Sequence, residues 1–400
     1  MTNVVILGGA RTPMTEWVGG KRGDGGSGGA LKDVSALELG AIAAKGALAK
    51  TGVPADRIEH VIMGNALQTS GDAIYGARHV GLKAGVPIRV PALTVNRLCG
   101  SGIQSLINGA HIIGEGSEYV LAGGMENMTR VPFLLPDMRL GHRIGNTEVV
   151  DAMYRDGLLD PLCDLIMGET AENLVDRYGI SREEQDTFAL ESQQKAAAAA
   201  ARRADEMVPV EVRDGKQTRM VTADEHPRPD TTLETLAKLP PVFREGGSVT
   251  AGNSSGLTDG GAAMVLMDED RATAEGRAPL ARIIGWSWAG VPPEIMGIGP
   301  VPATQKVLER TGLTMADIDL IEINEAFAAQ VIACERDLKF DRDKVNVRGG
   351  GISIGHPIGM SGARILLSLA YEMRHAGVSL GLATLCISGG QGLAVVLERV

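Results

Sequence analysis

The 400-residue chain is 44% apolar and carries 39 basic against 49 acidic residues, a formal net charge of −10. That length and apolar share predict a soluble globular protein of roughly two to four folding units, and the charge disfavours a general nucleic-acid or anionic-membrane surface. Its 53 glycines are nearly twice the usual share of about 7% and follow no collagen-like period, so many close backbone approaches are expected.

The opening Val4-Val5-Ile6-Leu7 predicts a short strand, without the basic start and long apolar stretch of a secretory leader. No later apolar run reaches the roughly 18 residues of a bilayer span, and a cytoplasmic protein with no membrane span is expected. Residues 19–29, GGKRGDGGSGG, read as a polar surface loop; they lack the Lys-Ser/Thr ending of a phosphate-binding loop. No G-x-G-x-x-G fingerprint follows the first strand, which disfavours a dinucleotide-dependent dehydrogenase.

Residues 48–53 and 58–63 read as a helix, a glycine stop and a strand, and the same pattern returns 260 positions later at 308–313 and 318–323. The match continues. Val95-Asn96 and Val345-Asn346 each lead into a glycine-rich turn and an apolar helix, residues 119–124 and 384–390 are strands ending in glycines, and 262–266 resembles 393–397. Two like α/β halves are expected. Residues 125–248, rich in Met, Pro and charge, have no counterpart and read as an inserted subdomain. The first half is then 1–124 with 249–270, and the second is 271–400. Within the insertion, Ser181-Arg182-Glu183-Glu184 is a capping box that opens a long helix running to Ala201.

The four cysteines, Cys99, Cys163, Cys334 and Cys386, lack the paired spacing of a zinc site and are too few for a disulfide scaffold. Cys99 precedes Ile103, Leu106, Ile107, Ala110 and Ile113, one face of a helix. Its thiol is expected at that helix's N-terminus, where backbone amides and the dipole lower a thiol pKa from about 8.5. A nucleophile and a small packed residue are both open readings there. His356 opens the corresponding helix of the second half, with Pro357 suited to a first turn and glycines on either side. A neutral imidazole at that place could take the thiol proton, against the alternative of a structural histidine. Cys386 ends an apolar strand, and strand ends in α/β layers face the ligand crevice. A second thiol could move protons there, and the amides that follow could form an oxyanion hole. Asn324 follows the strand at 320–323 on the same rim, with a structural turn as its alternative. Cys163 and Cys334 read as packing residues.

Taken together, VNRLCGSG at Cys99, NEAFAAQ at Asn324, GHPIGMSGAR at His356 and CISGGQG at Cys386 resemble the thiolase family. AGNSSGLTDGGAA at 251–263 and the stretch at 296–300 also match, so the likeness runs in order along the whole chain. The resemblance implies two βαβαβαββ halves forming a layered αβαβα core, with the inserted loop domain over the active site. It implies Claisen condensation of an acyl-CoA with acetyl-CoA, or the reverse thiolysis of a 3-ketoacyl-CoA, through a cysteine acyl-enzyme. An acetyl-CoA acetyltransferase comes first among these, with coenzyme A esters as substrates and no other cofactor or metal.

By motif, Cys99 resembles the acyl-accepting nucleophile, His356 its activating partner and Cys386 the acid/base. The family pattern gives the enolate-like oxygen to His356 with a water held by Asn324, and the acyl oxygen to the backbone amides of Cys99 and Ser388. Ser255 resembles the pantetheine-binding serine, while Ala251, Phe327, Met167, Leu158 and Met296 resemble channel walls. Arg228 aligns with a basic residue near the CoA nucleotide, its alternative being a solvated surface arginine. A homo-oligomer, dimer or dimer of dimers, is implied, with 131–143 resembling the tetramer-contact segment. Two departures stand out. Ser388 replaces a frequent Gly and would be strained at positive φ, and Ile166 stands where the short-chain biosynthetic type often has His. The rival readings are a 3-ketoacyl synthase, which typically needs a second His or an Asn beside the first, and a non-catalytic CoA-binding scaffold.

Overall fold

The computed structural model describes residues 3–18 and 28–400, so most of the glycine-rich loop lies outside the described residues. Strand β1 (Val4–Arg11) is buried along its whole length because both its faces are covered. Val4 and Ile6 point into one apolar cluster and Val5 and Leu7 into another, the alternation of a central strand. Helix α1 (Ala36–Thr51) starts at Ser35, whose hydroxyl accepts the Glu38 N–H, and stops at Gly52 with φ 63. Strand β2 (His60–Gly64), helix α2 (Gly76–Lys83), strand β3 (Ala92–Val95), helix α3 (Ser101–Gly114) and strand β4 (Tyr119–Asn127) follow.

After β4 the chain leaves the core and returns at β5 (Thr258–Asp268), having formed helices α4 (Met167–Tyr178) and α5 (Arg182–Ala198). The capping box at α5 is present, Ser181 and Glu184 exchanging side-chain and backbone bonds. The helix ends at Ala198 rather than Ala201, and the short helix Ala200–Arg203 follows. The Arg203 guanidinium binds Ala196 O and Arg348 O, taking a carbonyl that a continuing helix would use. The second half comprises β6 (Ala281–Gly290), α6 (Pro300–Thr311), β7 (Leu320–Ile323), α7 (Ala328–Leu338), α8 (Ile358–Ala376), β8 (Leu380–Ile387) and β9 (Gln391–Glu398).

The main path of the ten-stranded sheet runs β7-β8-β9-β6-β1-β5-β4-β2-β3, with Thr15–Glu16 pairing beside β5. The internal repeat is visible in this order. The first half reads β1-β5-β4-β2-β3, and the second reads β6-β9-β8-β7 followed by a parallel bridge from Ile321 to Val345 where a short strand would sit. The halves join edge to edge through β1 and β6, with Val4 opposite Ile283. Helices α3 and α8 pack on each other and on the inner sheet faces, α1 and α2 cover the first half outside, and α6 and α7 the second. The result is the αβαβα layering expected. At the central layer a Cβ on Gly102 would lie 2.2 Å from Ala363 N, and one on Gly362 2.5 Å from Ile103 N. Only glycines let the first turns of α3 and α8 meet this closely. A buried ion-pair cluster, Arg11 with Glu206 at 2.6 Å and Asp224 at 2.7 Å, ties the inserted segment to β1. Among the described residues no helix is long and apolar enough to cross a membrane.

Candidate active site

Cys99 lies in the tight turn Leu98–Gly100, between β3 and α3. The preceding Leu98 has φ 45, a left-handed conformation that costs an L-residue roughly 1–2 kcal/mol. Side chains hold it there. Asn96 Oδ1 accepts Leu98 N–H at 2.9 Å, while Ser101 Oγ accepts Arg97 N–H at 2.8 Å and donates to Leu98 O at 2.7 Å.

His356 follows Gly355, whose φ is 101. Its Nδ1 is 2.5 Å from Ser361 Oγ, and that hydroxyl donates its own proton to Pro357 O at 3.0 Å. With the hydroxyl proton on Pro357 O, Ser361 accepts from the ring, an arrangement that puts the imidazole proton on Nδ1 and leaves Nε2 as an acceptor. Nε2 stands 3.3 Å from Cys99 Sγ and 3.5 Å from Asn324 Nδ2. Burial, helped by the charge of Arg364, lowers the histidine pKa to about 4.

The expected lowering of the Cys99 pKa is not found. Loss of water pushes the thiol up to about 12, outweighing the downward pull of the backbone N–H groups of Cys99 and Ser388, and buried Glu126 adds to the rise. The sequence placed the thiol correctly ahead of a helix, but the apolar wall it meets is built by distant segments. At neutral pH the resting pair is thiol and neutral imidazole, with Nε2 placed to receive the proton.

Cys386 is the penultimate residue of β8, packed among Met296, Ala326 and Phe327. Burial, then the neighbouring Cys99 and Cys334, raises its pKa far above the usual thiol range. Asn324 follows β7, its N–H bonded to Thr384 O at 3.0 Å, and its Oδ1 is buried without a partner among the described residues. The strain anticipated at Ser388 does not arise. The left-handed conformations of that turn fall on Gly389 (φ 81) and Gly390 (φ 72), so serine stands at an unstrained position.

One cavity of about 710 Å³ collects Cys99, His356, Cys386 and Ser388. Its walls include Leu158, Met167, Ala251, Ser255, Met296 and Phe327, and Ile166 keeps that end apolar. Asn324 reaches the site through His356. Arg228 lines the same cavity but is 62% exposed, its guanidinium 2.6 Å from Glu16 Oε1. Cys163 and Cys334 are free thiols that do not line the cavity. Sequence reasoning missed Ser361, although it stands 260 positions after Ser101 and braces the second-half loop as Ser101 braces the first. It also missed Glu126, whose buried carboxylate accepts from Asn65 Nδ2, Ala66 N, Leu67 N and Gly359 N and so ties the histidine loop to β4. No local pattern announces Glu126, because its partners come from two other stretches of chain.

Family models for the thiolase N-terminal and C-terminal domains match residues 4–270 and 277–399. The chain belongs to the thiolase family. This thiolase is 46% identical over 401 residues to the human protein named 3-ketoacyl-CoA thiolase, mitochondrial, covering 100% of this chain and 98% of the relative. It is 48% identical over 404 residues to an acetyl-CoA acetyltransferase of Pseudomonas aeruginosa, covering 100% of each. Among solved structures, human mitochondrial 3-ketoacyl-CoA thiolase in complex with CoA matches with a TM-score of 0.93 at 46% identity, covering 100% of this chain and 98% of that one. Full-length relatives named 3-ketoacyl-CoA thiolase and acetyl-CoA acetyltransferase at 46% and 48% identity set the synthase and scaffold alternatives aside.

Proposed function

We propose that this thiolase catalyses Claisen condensation of an acyl-CoA with acetyl-CoA, and the reverse thiolysis, through an acyl-enzyme on Cys99. The observation that carries the reading is the 3.3 Å contact between Cys99 Sγ and His356 Nε2, in a cavity that Cys386 also lines. In the first half-reaction Cys99 sulfur attacks the thioester carbonyl as its proton passes to Nε2. The backbone N–H groups of Cys99 and Ser388 receive the oxyanion. The departing CoA thiolate takes the Cys386 proton and leaves as CoA-SH. In the second, the Cys386 thiolate removes an α-proton of acetyl-CoA, and the carbanion attacks the acyl carbon. Cys99 then leaves as thiolate and recovers its proton from His356, so every proton is accounted for. Burial raises the Cys386 pKa, which makes its thiolate a stronger base toward the α-proton and its thiol a weaker acid toward the departing CoA. Imidazolium N–H and a water held by Asn324, whose buried Oδ1 has no partner among the described residues, serve the enolate-like oxygen.

Ser255, Ala251, Phe327, Met167, Leu158 and Met296 line the path proposed for pantetheine and acyl chain, with Arg228 at the nucleotide end; no cofactor beyond CoA esters is needed. The preferred activity is acetyl-CoA acetyltransferase. The three-part division into 1–124 with 249–270, 125–248 and 271–400 goes with this reading, the middle part forming the channel's lid. The free cysteines fit a cytoplasmic site of action. A homo-oligomer, up to a tetramer, is supported by the exposure of Phe133 (67%) and Leu140 (87%) in the contact segment. CoA-dependent cleavage of 3-ketoacyl-CoA esters, from acetoacetyl-CoA upward in chain length, tests the activity. Release of acetyl-CoA is expected; absence of cleavage for every ester would overturn the proposal.

A further inference from the structure

Asp160 lies outside the reacting groups, yet its buried carboxylate reaches the turn that carries Ser388. Residues Leu159–Asp160 pair antiparallel with Leu165–Ile166, a small hairpin that puts Ile166 and the adjoining Leu158 on the cavity wall. Asp160 organises the hairpin tip itself: its carbonyl accepts Asp164 N–H at 2.8 Å and its Oδ1 accepts Leu162 N–H at 2.9 Å. The other oxygen, Oδ2, leaves the hairpin and accepts Gly389 N–H at 2.8 Å, across 229 positions of sequence. The residue is 2% exposed.

Gly389 and Gly390 sit in the turn between β8 and β9, both left-handed. Two consecutive N–H groups of this turn thus have different settings. That of Ser388 belongs to a residue lining the cavity together with Cys99, and that of Gly389 is held by the carboxylate. Adjacent peptide planes share one Cα, so fixing the second restricts the first. A turn with two glycines has wide conformational freedom of its own, and the bond from Gly389 N–H to buried Asp160 Oδ2 restricts it. We propose that Asp160 is a positioning residue for acyl transfer: by holding the Gly389 N–H it orients the Ser388 peptide, whose N–H then meets the carbonyl oxygen of the acyl group on Cys99. This rests on the acyl-transfer reading above. It gives the inserted segment a second role besides walling the channel, that of bracing one of the two oxyanion donors.

The test compares the full-length parent with Asp160→Ala and Asp160→Asn, measuring Cys99 acylation by acetyl-CoA with rapid-quench mass spectrometry and CoA affinity by calorimetry. Asp160→Ala is expected to slow acylation by about 10- to 100-fold, as loss of a supporting partner does, with CoA affinity held to within about twofold of the parent by the intact channel. Asp160→Asn keeps one acceptor oxygen, of roughly half the strength, and its rate falls between the other two. Acylation by Asp160→Ala at the parent rate would overturn the proposal. So would a loss of rate matched by an equal loss of CoA affinity in both variants, which marks a collapsed hairpin. If the alanine variant fails to fold, the asparagine variant decides, and a parent-like rate in it counts against the proposal. A parent that never acylates Cys99 overturns the acyl-transfer reading itself, whereas an active parent with indifferent variants overturns only the role of Asp160.

Discussion

Ser361 bears on which ring nitrogen of His356 is available: with its hydroxyl proton on Pro357 O, its oxygen accepts from Nδ1. Without that acceptor the ring can place its proton on Nε2, the nitrogen that has to take the Cys99 proton. Ser361→Ala is therefore expected to lower the thiolysis kcat by about 10- to 100-fold, the range for loss of a partner that orients a functional imidazole, while leaving the CoA dissociation constant unchanged. Parent-like kcat in this variant would contradict the tautomer assignment. Cys99, His356 and Cys386 could be singled out in sequence by their places at the end of a predicted strand or the start of a predicted helix, but their roles came from the thiolase resemblance and not from that local pattern. Their proton affinities were not legible. The Cys99 thiol rises to about 12 and His356 falls to about 4 because segments far away in sequence exclude water. Helix-end electrostatics, the local signal, is the smaller effect here.

Helices α3 and α8 hold the nucleophile and the base at matching ends, and their contact depends on absent side chains. An alanine at Gly102 would push a methyl group to 2.2 Å from Ala363 N, whereas one at Gly114, the last residue of α3, meets nothing within 4 Å. Opposite outcomes are expected in thermal unfolding. Gly102→Ala loses stability by about 1–3 kcal/mol through overpacking, and Gly114→Ala is neutral or gains up to about 1 kcal/mol from reduced unfolded-state entropy. Equal melting temperatures for the two variants would refute this account of the helix crossing. The repeat offset of 260 positions pairs Gly102 with Gly362 and Gly52 with Gly312, the latter two both left-handed helix stops. The duplicated core could therefore be read before any coordinates. The end of α5 could not, since the break falls at Ala199 (φ −96, ψ 7) within a run of alanines that carries no stop signal.

At the scale of the whole molecule, buried carboxylates give stability a pH dependence. Burial raises Glu126 to about 7 and Asp259 to about 6, so the folded state keeps protons that the unfolded chain releases near its ordinary carboxylate pKa of about 4. Their contribution is complete below that value and drains away as pH climbs through 6 to 7. His356 has the opposite sign: with a folded pKa of about 4 against about 6.5 unfolded, its contribution is complete above 6.5 and is lost toward pH 4. Removing the Glu126 titration with Glu126→Gln should flatten the fall in melting temperature between about pH 5 and 7, even if the variant is less stable throughout; curves parallel to the parent would contradict the assignment. The central claim is that two thiols from different halves divide the chemistry of one cavity. Mass spectrometry of the acyl-enzyme after incubation with acetyl-CoA tests it most directly in Cys99→Ala and Cys386→Ala. The account predicts no acylation of Cys99→Ala, and in Cys386→Ala an acetyl group on Cys99 that never proceeds to acetoacetyl-CoA. Equal acylation of both variants, or acetoacetyl-CoA formation by Cys386→Ala at the parent rate, would contradict it.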